Sequence, residues 1–306
     1  MCCAKSGSNW PIEIFYLLDN LDASKSCGPD GIPTRLYKSC AHLLAEPLCH
    51  IFNYSIESTI FPDAFKLGFV TPIPKCQNAT INDLRPITLL PVPSKILEKL
   101  VLNSLKPCLL NLYVDDQFGF HPKSSTATAL ISLHDKVTRL LDQDNVDAVQ
   151  IISYDFERAF DKLGHHIVLQ SLIDGMLPKT FILWIESYLS NRLQQTKIGC
   201  ATSEVTKVPS GVPQGSVLGP VLFAVALGSL QIDDNASMLS KFADDTNCVF
   251  PLYKNQANEH VQESHSQILQ WSEMSLNNKK LKTLIISKKI VLHLEFISQI
   301  VPLSMS

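Results

Sequence analysis

Residues 241–250 read Lys-Phe-Ala-Asp-Asp-Thr-Asn-Cys-Val-Phe, and this stretch decides how the rest of the chain is interpreted. Two strand-like halves flank Asp244 and Asp245, which predicts a β-hairpin with two adjacent carboxylates at its tip. Asp-Asp is a poor two-residue turn, because the favoured hairpin turns need positive φ and prefer Asn-Gly or Asp-Gly. Neighbouring carboxylates repel each other unless a cation lies between them, and clusters of oxygen ligands suit Mg²⁺ or Mn²⁺. The pair therefore indicates a metal site if other acidic ligands join it, and a solvated turn if none does.

The composition indicates a folded, intracellular protein. The 306 residues are 45% hydrophobic and 18% charged, which is enough apolar material for one large domain or about two to three lobes. The net charge of −3 means that any basic groove for nucleic acid is local. Nine scattered cysteines predict reduced, mostly buried thiols. The N-terminus lacks the apolar run of a signal peptide, and the most apolar run, Val217 to Leu227, is too short to span a bilayer.

A third carboxylate follows a buried strand. An apolar run that includes Val149 and Ile152 ends on Asp155 and precedes a helical pattern. An acidic side chain at the end of a buried strand can project into a cleft, or it can cap the following helix. Asp161, further on, can bind metal, cap a helix or pair with Arg158.

A loop rich in glycine and proline precedes an apolar helix. Residues 209–216 read Pro-Ser-Gly-Val-Pro-Gln-Gly-Ser, and such a loop permits close approach of a ligand to the backbone. Gln214 and Ser216 offer uncharged hydrogen bonds to a sugar or a base. Taken alone, the stretch predicts only a loop.

Two cations lie close to a predicted turn between strand-like runs. The runs are Phe69–Lys75 and Ile81–Leu90, and their prolines restrict them to sheet edges or strand ends. Lys75 and Arg85 are either solvated surface charges or ligands for a triphosphate, on a hairpin that folds over an active site.

Helical patterns fill most of the remaining chain. Pro47 is predicted to bend or restart the helical segment that begins near Arg35, and Ser94 is predicted as an N-cap. His165 and His166 are predicted to be surface residues, because adjacent helical residues point about 100° apart and rarely bind one ion together. An apolar stripe predicted as core consists of Leu130, Leu133, Val137, Leu140 and Leu141.

Taken in order, these pieces resemble the reverse transcriptase domain of non-LTR (LINE-type) retrotransposons, most closely the jockey-like kind. Each motif is of moderate specificity alone, whereas the ordered set from about residue 20 to 287 is highly specific. The motifs are Gly28-Pro29-Asp30-Gly31-Ile32-Pro33, Leu84-Arg85-Pro86-Ile87, Ser94-Lys95-Ile96-Leu97-Glu98-Lys99, Gln117-Phe118-Gly119-Phe120, Tyr154-Asp155-Phe156 with Ala159-Phe160-Asp161, Ser210 to Pro220, and Phe242-Ala243-Asp244-Asp245.

The resemblance implies an α+β right-hand polymerase fold with fingers and palm, in which helices pack on an antiparallel palm sheet and the thumb is missing or incomplete. It divides the chain into a partly ordered lead-in (1–25), fingers with the first palm elements (26–145), a palm with the catalytic carboxylates (146–287) and a divergent tail (288–306). The implied partners are an RNA template, a DNA primer and deoxynucleoside triphosphates, with no membrane. A nuclear location is implied although no targeting signal is visible, and the oligomeric state is left open.

The resemblance also implies roles for site residues. Asp155 and Asp244 resemble two metal-bridging carboxylates, with Asp245 as a third, around two Mg²⁺ ions or Mn²⁺. Phe160 resembles the steric gate against a 2′-hydroxyl, and Lys280 is an alternative to Lys282 as the lysine that protonates pyrophosphate. Nucleotide-binding roles carry over to Phe160, Arg85, Lys75, Gln214 and Lys282.

Departures from the family pattern keep a second hypothesis open. His121 stands where the family has Arg, and residues 226–230 replace a Tyr-Ile-Asn-Asp-Leu pattern. The tail matches no thumb, and no endonuclease module precedes the domain. The leading hypothesis is an RNA-directed DNA polymerase domain, and the alternative is a truncated, inactive retrotransposon remnant with residual nucleic-acid binding. The residues of the motifs at 28–31 and 210–220 disfavour a group II intron-type or a telomerase-type polymerase.

Overall fold

Helices and strands occupy most of the chain that the structure describes. The computed structural model describes residues 10–109, 112, 114–121, 124–232, 237–254, 258–272, 281–287 and 291–294. The helices are α1 (Trp10–Asp19), α2 (Thr34–Ser39), α3 (Ala41–Glu57), α4 (Val92–Leu109), α5 (Thr126–Leu141), α6 (Ala159–Lys162), α7 (His165–Asp174), α8 (Lys179–Leu189), α9 (Gly219–Gly228) and α10 (Glu259–Ser272). The strands are β1 (Leu67–Pro74), β2 (Leu84–Leu89), β3 (Val146–Asp155), β4 (Arg192–Ile198), β5 (Ala201–Thr202), β6 (Thr206–Val208), β7 (Met238–Phe242), β8 (Asp245–Tyr253), β9 (Lys282–Ser287) and β10 (Val291–Leu294).

The chain divides into two compact units, and each unit takes two segments of the sequence. Unit 1 comprises Met1–Leu112 and Gly164–Leu222, and unit 2 comprises Tyr113–Leu163 and Phe223–Ser306. The domains implied by the resemblance are contiguous and describe functional parts, so they stay a prediction beside this interleaved division.

The sheet of unit 1 has the strand order β2-β1-β4-β5, and β6 also pairs with β4. β1 and β2 form an antiparallel hairpin, whereas β1 and β4 are parallel. The parallel pairing covers only Leu67 to Val70 of β1, so Pro72 and Pro74 lie beyond it. Pro86 lies on β2, at the edge of the sheet. The prediction that the prolines fall at edges or strand ends is confirmed.

The core of unit 1 includes the buried face of α8. Trp184 and Tyr188 of this helix are fully buried, as their helical spacing predicts. The indole Nε1 of Trp184 donates a hydrogen bond to Ser55 Oγ of α3 at 2.9 Å. The buried face of α8 therefore combines apolar packing with a polar group that has a hydrogen-bond partner.

Two helix boundaries in unit 1 lie away from their predicted positions. The helical segment after Pro33 breaks at Cys40 into α2 and α3, and Pro47 lies inside α3, so Pro47 does not restart the helix. Ser94 lies inside α4 rather than at its N-cap, because α4 begins at Val92. Pro93 in the first turn lacks only an N–H that has no intrahelical acceptor, so the helix can begin before Ser94.

The sheet of unit 2 has the order β10-β9-β3-β8-β7, with antiparallel pairing between all neighbours. β3 lies in the middle, paired with β8 on one side and β9 on the other. This confirms the predicted antiparallel sheet. β10 falls in the predicted tail, so part of that segment extends the sheet.

Helices pack on both faces of the unit 2 sheet. Val137 and Leu140 of α5 form a cluster with Val149 and other residues of one face, whereas α10 contacts Tyr154 on the other. Leu130 of α5 is 65% exposed, so its assignment to the core was wrong. The α5 members of the cluster all lie between residues 133 and 141, and the first turns of α5 extend past it.

Two predictions from composition also meet the structure. Cys49 and Cys248 are buried, but Cys76 and Cys200 are exposed, so the expectation of mostly buried thiols is wrong. Within the described ranges, every helix is too short or too polar to span a lipid bilayer.

Candidate functional site

One face of the unit 2 sheet changes from apolar to polar toward the end of β3. Ile151 on this face packs in the α5 cluster, and alternation places Ser153 and Asp155 further along the same face. The residues paired with this end of β3 are also polar, because Lys282 lies opposite Ser153 and Asp245 lies opposite Asp155. The acidic residues singled out by the sequence therefore lie where the apolar cover ends.

The aspartate hairpin, formed by β7 and β8, turns on Ala243 and Asp244. Phe242 is the register partner of Asp245, so Asp245 is the first residue of β8, and the predicted Asp-Asp tip is shifted by one residue. Ala243 has a φ of 55°, a conformation that costs a residue with a Cβ about 1–2 kcal/mol. Because Ala243 carries the positive φ, neither aspartate has to, which explains how two aspartates fit beside so tight a turn.

Asp155 and Asp245 form a pair suited to a hard divalent cation. Directly opposite residues of antiparallel strands have Cβ atoms about 4.5–5.5 Å apart, and like charges placed there repel. Asp155 and Asp244 are half-buried, whereas Asp245 is exposed. No group of three or more His, Cys, Asp or Glu residues close enough to hold a metal occurs within the described ranges. Mg²⁺ usually binds through one or two carboxylates with substrate phosphates and water, so this pair with Asp244 beside it fits the ion.

The ring of Phe160 in α6 is held by two other phenylalanines. It stacks on Phe223 with a centroid distance of 4.3 Å and an interplanar angle of 13°. Phe120 meets the same ring edge-on, at 6.3 Å and 86°. Pairs of this kind contribute about 0.5–1.5 kcal/mol beyond buried area. The resemblance assigns a role to Phe160 alone, and the two supporting rings become visible only in the structure, since their spacing in sequence carries no signal.

Lys241 is a buried cation inside the aspartate hairpin that the sequence reasoning missed. Its side chain is fully buried, and Nζ donates to Asp116 Oδ2 at 3.0 Å and to the carbonyl oxygen of Leu230 at 2.7 Å. Burial lowers the pKa of Lys241 and raises that of Asp116, and the ion pair opposes both shifts. The sequence gives no local signal for this burial, because Asp116 is distant from Lys241 along the chain.

The backbone around Lys241 brings the Gln117-Phe118-Gly119-Phe120 motif against the aspartate hairpin. The N–H of Phe118 donates to the carbonyl oxygen of Lys241 at 2.8 Å. A Cβ on Gly119 would lie 2.1 Å from the backbone nitrogen of Ala243. This close approach requires glycine, so the motif supports the turn that carries Asp244.

In unit 1, the loop that carries Gln214 is fastened to its surroundings. The N–H of Thr88 on β2 donates to the carbonyl oxygen of Gln214 at 2.7 Å. Gly215 has a φ of +113°, and a Cβ there would lie 2.6 Å from the carbonyl oxygen of Thr88. His165 Nε2 lies 2.9 Å from the carbonyl oxygen of Gly211. The prediction that His165 is a surface residue is therefore wrong, and His166 beside it is exposed.

The predicted lysine and arginine ligands lie in different units. Lys75 and Arg85 are both exposed on the β1–β2 hairpin of unit 1, where the backbone N–H of Lys75 donates to the carbonyl oxygen of Asp83 at 3.1 Å. In unit 2, Lys282 is exposed at the start of β9, on the same sheet face as Asp155. The alternative residue, Lys280, lies outside the described residues.

Solved structures share the fold of this chain. Telomerase of Candida tropicalis lacking its C-terminal domain superposes with a TM-score of 0.53 at 13% identity, over 81% of this chain and 56% of that one. The same enzyme with a TWJ fragment of telomeric RNA gives a TM-score of 0.54 at 13% identity, over 81% and 45% of the two chains. At such identity the likeness concerns the fold alone, and it confirms the predicted α+β polymerase fold with fingers and palm.

The chain belongs to the reverse transcriptase (RNA-dependent DNA polymerase) family, whose model matches residues 73–295. It is 28% identical over 275 residues to the RNA-directed DNA polymerase from mobile element jockey of Drosophila melanogaster, covering 85% of this chain and 30% of the relative. It is 30% identical over 248 residues to a probable RNA-directed DNA polymerase from transposon X-element of the same organism, covering 78% and 27%. The predicted resemblance to jockey-like elements is confirmed, and the chain spans less than a third of these relatives.

Proposed function

We propose that this chain forms an RNA-directed DNA polymerase domain, which adds deoxynucleotides to the 3′-hydroxyl of a primer by two-metal phosphoryl transfer. The observation that carries the proposal is the register of β3 and β8, which sets Asp155 directly opposite Asp245 at the polar end of one sheet face. Membership of the family and the names of the relatives support the same reaction.

Asp155, Asp244 and Asp245 are the residues that would hold two Mg²⁺ ions, or Mn²⁺. When bound, the ions lower the pKa of the attacking hydroxyl and neutralise charge on the departing pyrophosphate. The chain supplies well-placed oxygen ligands, because β3 is paired with β9 as far as Ser153 and with β8 as far as Asp155, so its end cannot shift without loss of ladder hydrogen bonds.

Two further residues of unit 2 act on the nucleotide in this proposal. Phe160 excludes a 2′-hydroxyl by bulk, and its stacking on Phe223 keeps the ring from turning away. Lys282 lies on the same sheet face as Asp155 and donates a proton to the departing pyrophosphate.

Three residues of unit 1 have nucleotide-binding roles that the resemblance implies, with Lys75 and Arg85 as the cations of the fingers. Lys75 and Arg85 offer exposed positive charge to a triphosphate, and Arg85 can bind two phosphate oxygens at once. Gln214 positions the nucleotide and the template through uncharged hydrogen bonds. The partners proposed are an RNA template, a DNA primer and deoxynucleoside triphosphates, and the proposed location is the nucleus.

Primer extension on poly(rA)/oligo(dT) with Mg²⁺ or Mn²⁺ tests the proposal. Asp155→Asn keeps the shape of the side chain but removes a metal-binding charge, so extension is expected to fall by about a thousandfold or more. The same variant is expected to stabilise unit 2 by about 0.2–1 kcal/mol, because it removes like-charge repulsion with Asp245. Asp147→Asn is the matched control, since Asp147 is exposed at the other end of the same strand, and it is expected to leave extension unchanged.

The inactive remnant predicts a different set of results. A folded wild-type chain that binds primer and template but extends nothing with either ion would overturn the proposal. Equal extension by the wild type and Asp155→Asn would remove the aspartate pair from the reaction.

A further inference from the structure

Glu98 of α4 is a fully buried carboxylate with no part in the proposed chemistry. Its Oε2 accepts hydrogen bonds from the N–H of Val217 at 2.8 Å and of Leu218 at 3.1 Å. The hydroxyl of Tyr188 donates to the same oxygen at 3.3 Å, and that of Ser94 donates to Oε1 at 3.1 Å. A buried carboxylate is costly unless it is hydrogen-bonded, so this set of donors is what allows the charge to lie here.

The two N–H groups lie directly before the first residue of α9, Gly219. Such groups have no acceptor inside the helix, and the positive end of the helix dipole lies beside them. Glu98 therefore caps α9 from another helix. Burial raises the pKa of Glu98, whereas the bonds from Val217 and Leu218 and the charge of Arg192 oppose that shift.

Glu98 is one of several attachments along the Gln214 loop, and it lies at the end of the loop. His165 contacts the carbonyl oxygen of Gly211 near the start, and Thr88 donates to the carbonyl oxygen of Gln214 in the middle. Glu98 holds the end, so Gln214 lies between a fixed point at its own carbonyl and a fixed point at the start of α9. Ser216 Oγ also donates to the carbonyl oxygen of Pro213 at 2.8 Å and accepts from the N–H of Gly219 at 2.9 Å, so loss of Glu98 is expected to loosen this end of the loop without releasing it completely.

We propose that Glu98 is a positioning residue, which sets the side chain of Gln214 for nucleotide binding by holding the N–H groups of Val217 and Leu218. This inference rests on the proposed function, because Gln214 has a substrate only if the chain is a polymerase. Glu98 touches no substrate itself. Its effect is therefore expected in the binding of the nucleotide more than in the rate of the chemical step.

Steady-state extension kinetics test the positioning role. Glu98→Leu removes the acceptor and is expected to raise the KM for the deoxynucleotide about tenfold while kcat stays within about threefold. Glu98→Gln keeps one acceptor oxygen and is expected to recover most of that loss. Because Glu98 acts through Gln214, adding Glu98→Leu to Gln214→Ala is expected to raise KM no further. Glu186→Gln, at an exposed position of α8, is the matched control and is expected to match the wild type.

Amide hydrogen exchange supplies a readout that does not require activity. In Glu98→Leu, the peptide that contains residues 210–218 is expected to exchange at least about tenfold faster, whereas the peptide that contains β8 is unchanged. If Glu98→Leu does not fold, Glu98→Gln is measured in its place, with a smaller rise expected in the same peptide only.

The outcomes separate this inference from the proposed function. Additive KM effects in the double variant, or unchanged exchange at residues 210–218 in every folded Glu98 variant, would overturn the positioning role even if the wild type is active. A wild type that never extends a primer overturns the proposed function, and the exchange result then still decides whether Glu98 holds the loop.

Discussion

Each unit contains a fully buried charge that fastens a motif-bearing loop, and the two charges are satisfied in different ways. In unit 1, Glu98 accepts hydrogen bonds from two backbone N–H groups and two hydroxyls. In unit 2, Lys241 donates to the carboxylate of Asp116 and to the carbonyl oxygen of Leu230. The hydrogen-bond donors of Glu98 are neutral and the charge of Arg192 acts on it without a hydrogen bond, whereas Lys241 bonds directly to an opposite charge.

This difference predicts unequal sensitivity to loss of the charge. Glutamine in place of Glu98 still accepts hydrogen bonds through one oxygen, and each hydrogen bond to the charged group that is lost costs about 1.5–3 kcal/mol. Lys241 has no neutral counterpart of equal length that can donate to both of its acceptors. Removal of one member of a buried ion pair leaves the other without compensation and costs about 3–5 kcal/mol. Unit 2 is therefore expected to be the more easily broken by a single charge-removing substitution.

The largest stability effect is expected from Lys241→Met. It keeps the length and apolar volume of the side chain but leaves Asp116 and the Leu230 carbonyl without their donor, and the free energy of unfolding of unit 2 is expected to fall by about 3 kcal/mol. Asp116 is 20% exposed, which places the estimate at the lower end of the range. Hydrogen exchange in β8 under native conditions measures the loss.

Two comparisons check this first prediction. Lys254→Met alters an exposed lysine of unit 2 and is expected to cost less than about 0.5 kcal/mol. Glu98→Gln is expected to cost unit 1 less than Lys241→Met costs unit 2. A larger loss in Glu98→Gln would reverse the ranking of the two buried charges.

A smaller effect is expected from the two close-approach glycines. Gly119→Ala brings a Cβ to 2.1 Å from the backbone nitrogen of Ala243, and Gly215→Ala brings one to 2.6 Å from the carbonyl oxygen of Thr88. Such overpacking costs about 1–3 kcal/mol. Gly119→Ala is expected to lose more stability through steric clash, although Gly215→Ala also loses stability because alanine is strained at a positive φ. Exchange in β8 and in residues 210–218 reports the two losses separately.

Gly199→Ala is the control for the backbone term. Gly199 has a φ of +60° and no atom within 4 Å of a built Cβ, so alanine there is expected to cost only about 1–2 kcal/mol of strain. If Gly119→Ala costs nothing, the motif does not press on the turn of the aspartate hairpin.

The smallest effect on stability is expected from a change of pH. His265 lies in unit 2 with Nδ1 3.1 Å from the hydroxyl of Tyr154, and burial lowers its pKa, as it does for His165 in unit 1. A base with a lowered pKa binds its proton less tightly in the folded state. Its stabilising contribution is therefore complete above the unfolded value of about 6.5 and is lost as pH falls through the folded pKa.

Exchange-derived stability measured between about pH 7.5 and 5.5 checks this sign. Glu98 and Asp116 have raised pKa values and act in the opposite direction, so the wild type alone does not isolate the histidines. His265→Gln is expected to remove part of the acid-side loss in unit 2 and none in unit 1, and His165→Gln the reverse. A loss that persists unchanged in both variants would assign it to other groups.

Local sequence patterns predicted most helices and strands, because each pattern reflects the one surface against which that helix or strand packs. The apolar run of β3 placed Asp155 at a strand end, and the strand-like halves around Asp244 and Asp245 predicted the aspartate hairpin; both are confirmed. The stripe of α5 was right from residue 133 onward and wrong at Leu130, because periodicity does not say how far the covering surface extends. The turn was misplaced by one residue, because the sequence offered no reason for Ala243 to adopt a positive φ.

Only part of the candidate site was predicted, because local patterns do not show contacts between distant segments. Asp155, Asp244 and Asp245 are marked by strand ends and by resemblance, and the register places two of them opposite each other. Lys241, Phe223 and Glu98 were not predicted, since their partners are far away in sequence. His165 was wrongly predicted to be a surface residue for the same reason, because its partner Gly211 is distant in sequence.

The sequence by itself determined the family, the antiparallel strand that ends on Asp155, and the hairpin that carries the acidic pair. The strand and the hairpin follow from spacing within one segment of chain, and the family follows from the order of the motifs from about residue 20 to 287. The tertiary structure alone decided that Asp245 is the residue facing Asp155, that Ala243 bears the positive φ, and that Glu98 and Lys241 are buried charges with satisfied partners. Register, burial and long-range hydrogen bonds depend on segments distant in sequence, so no local pattern can specify them.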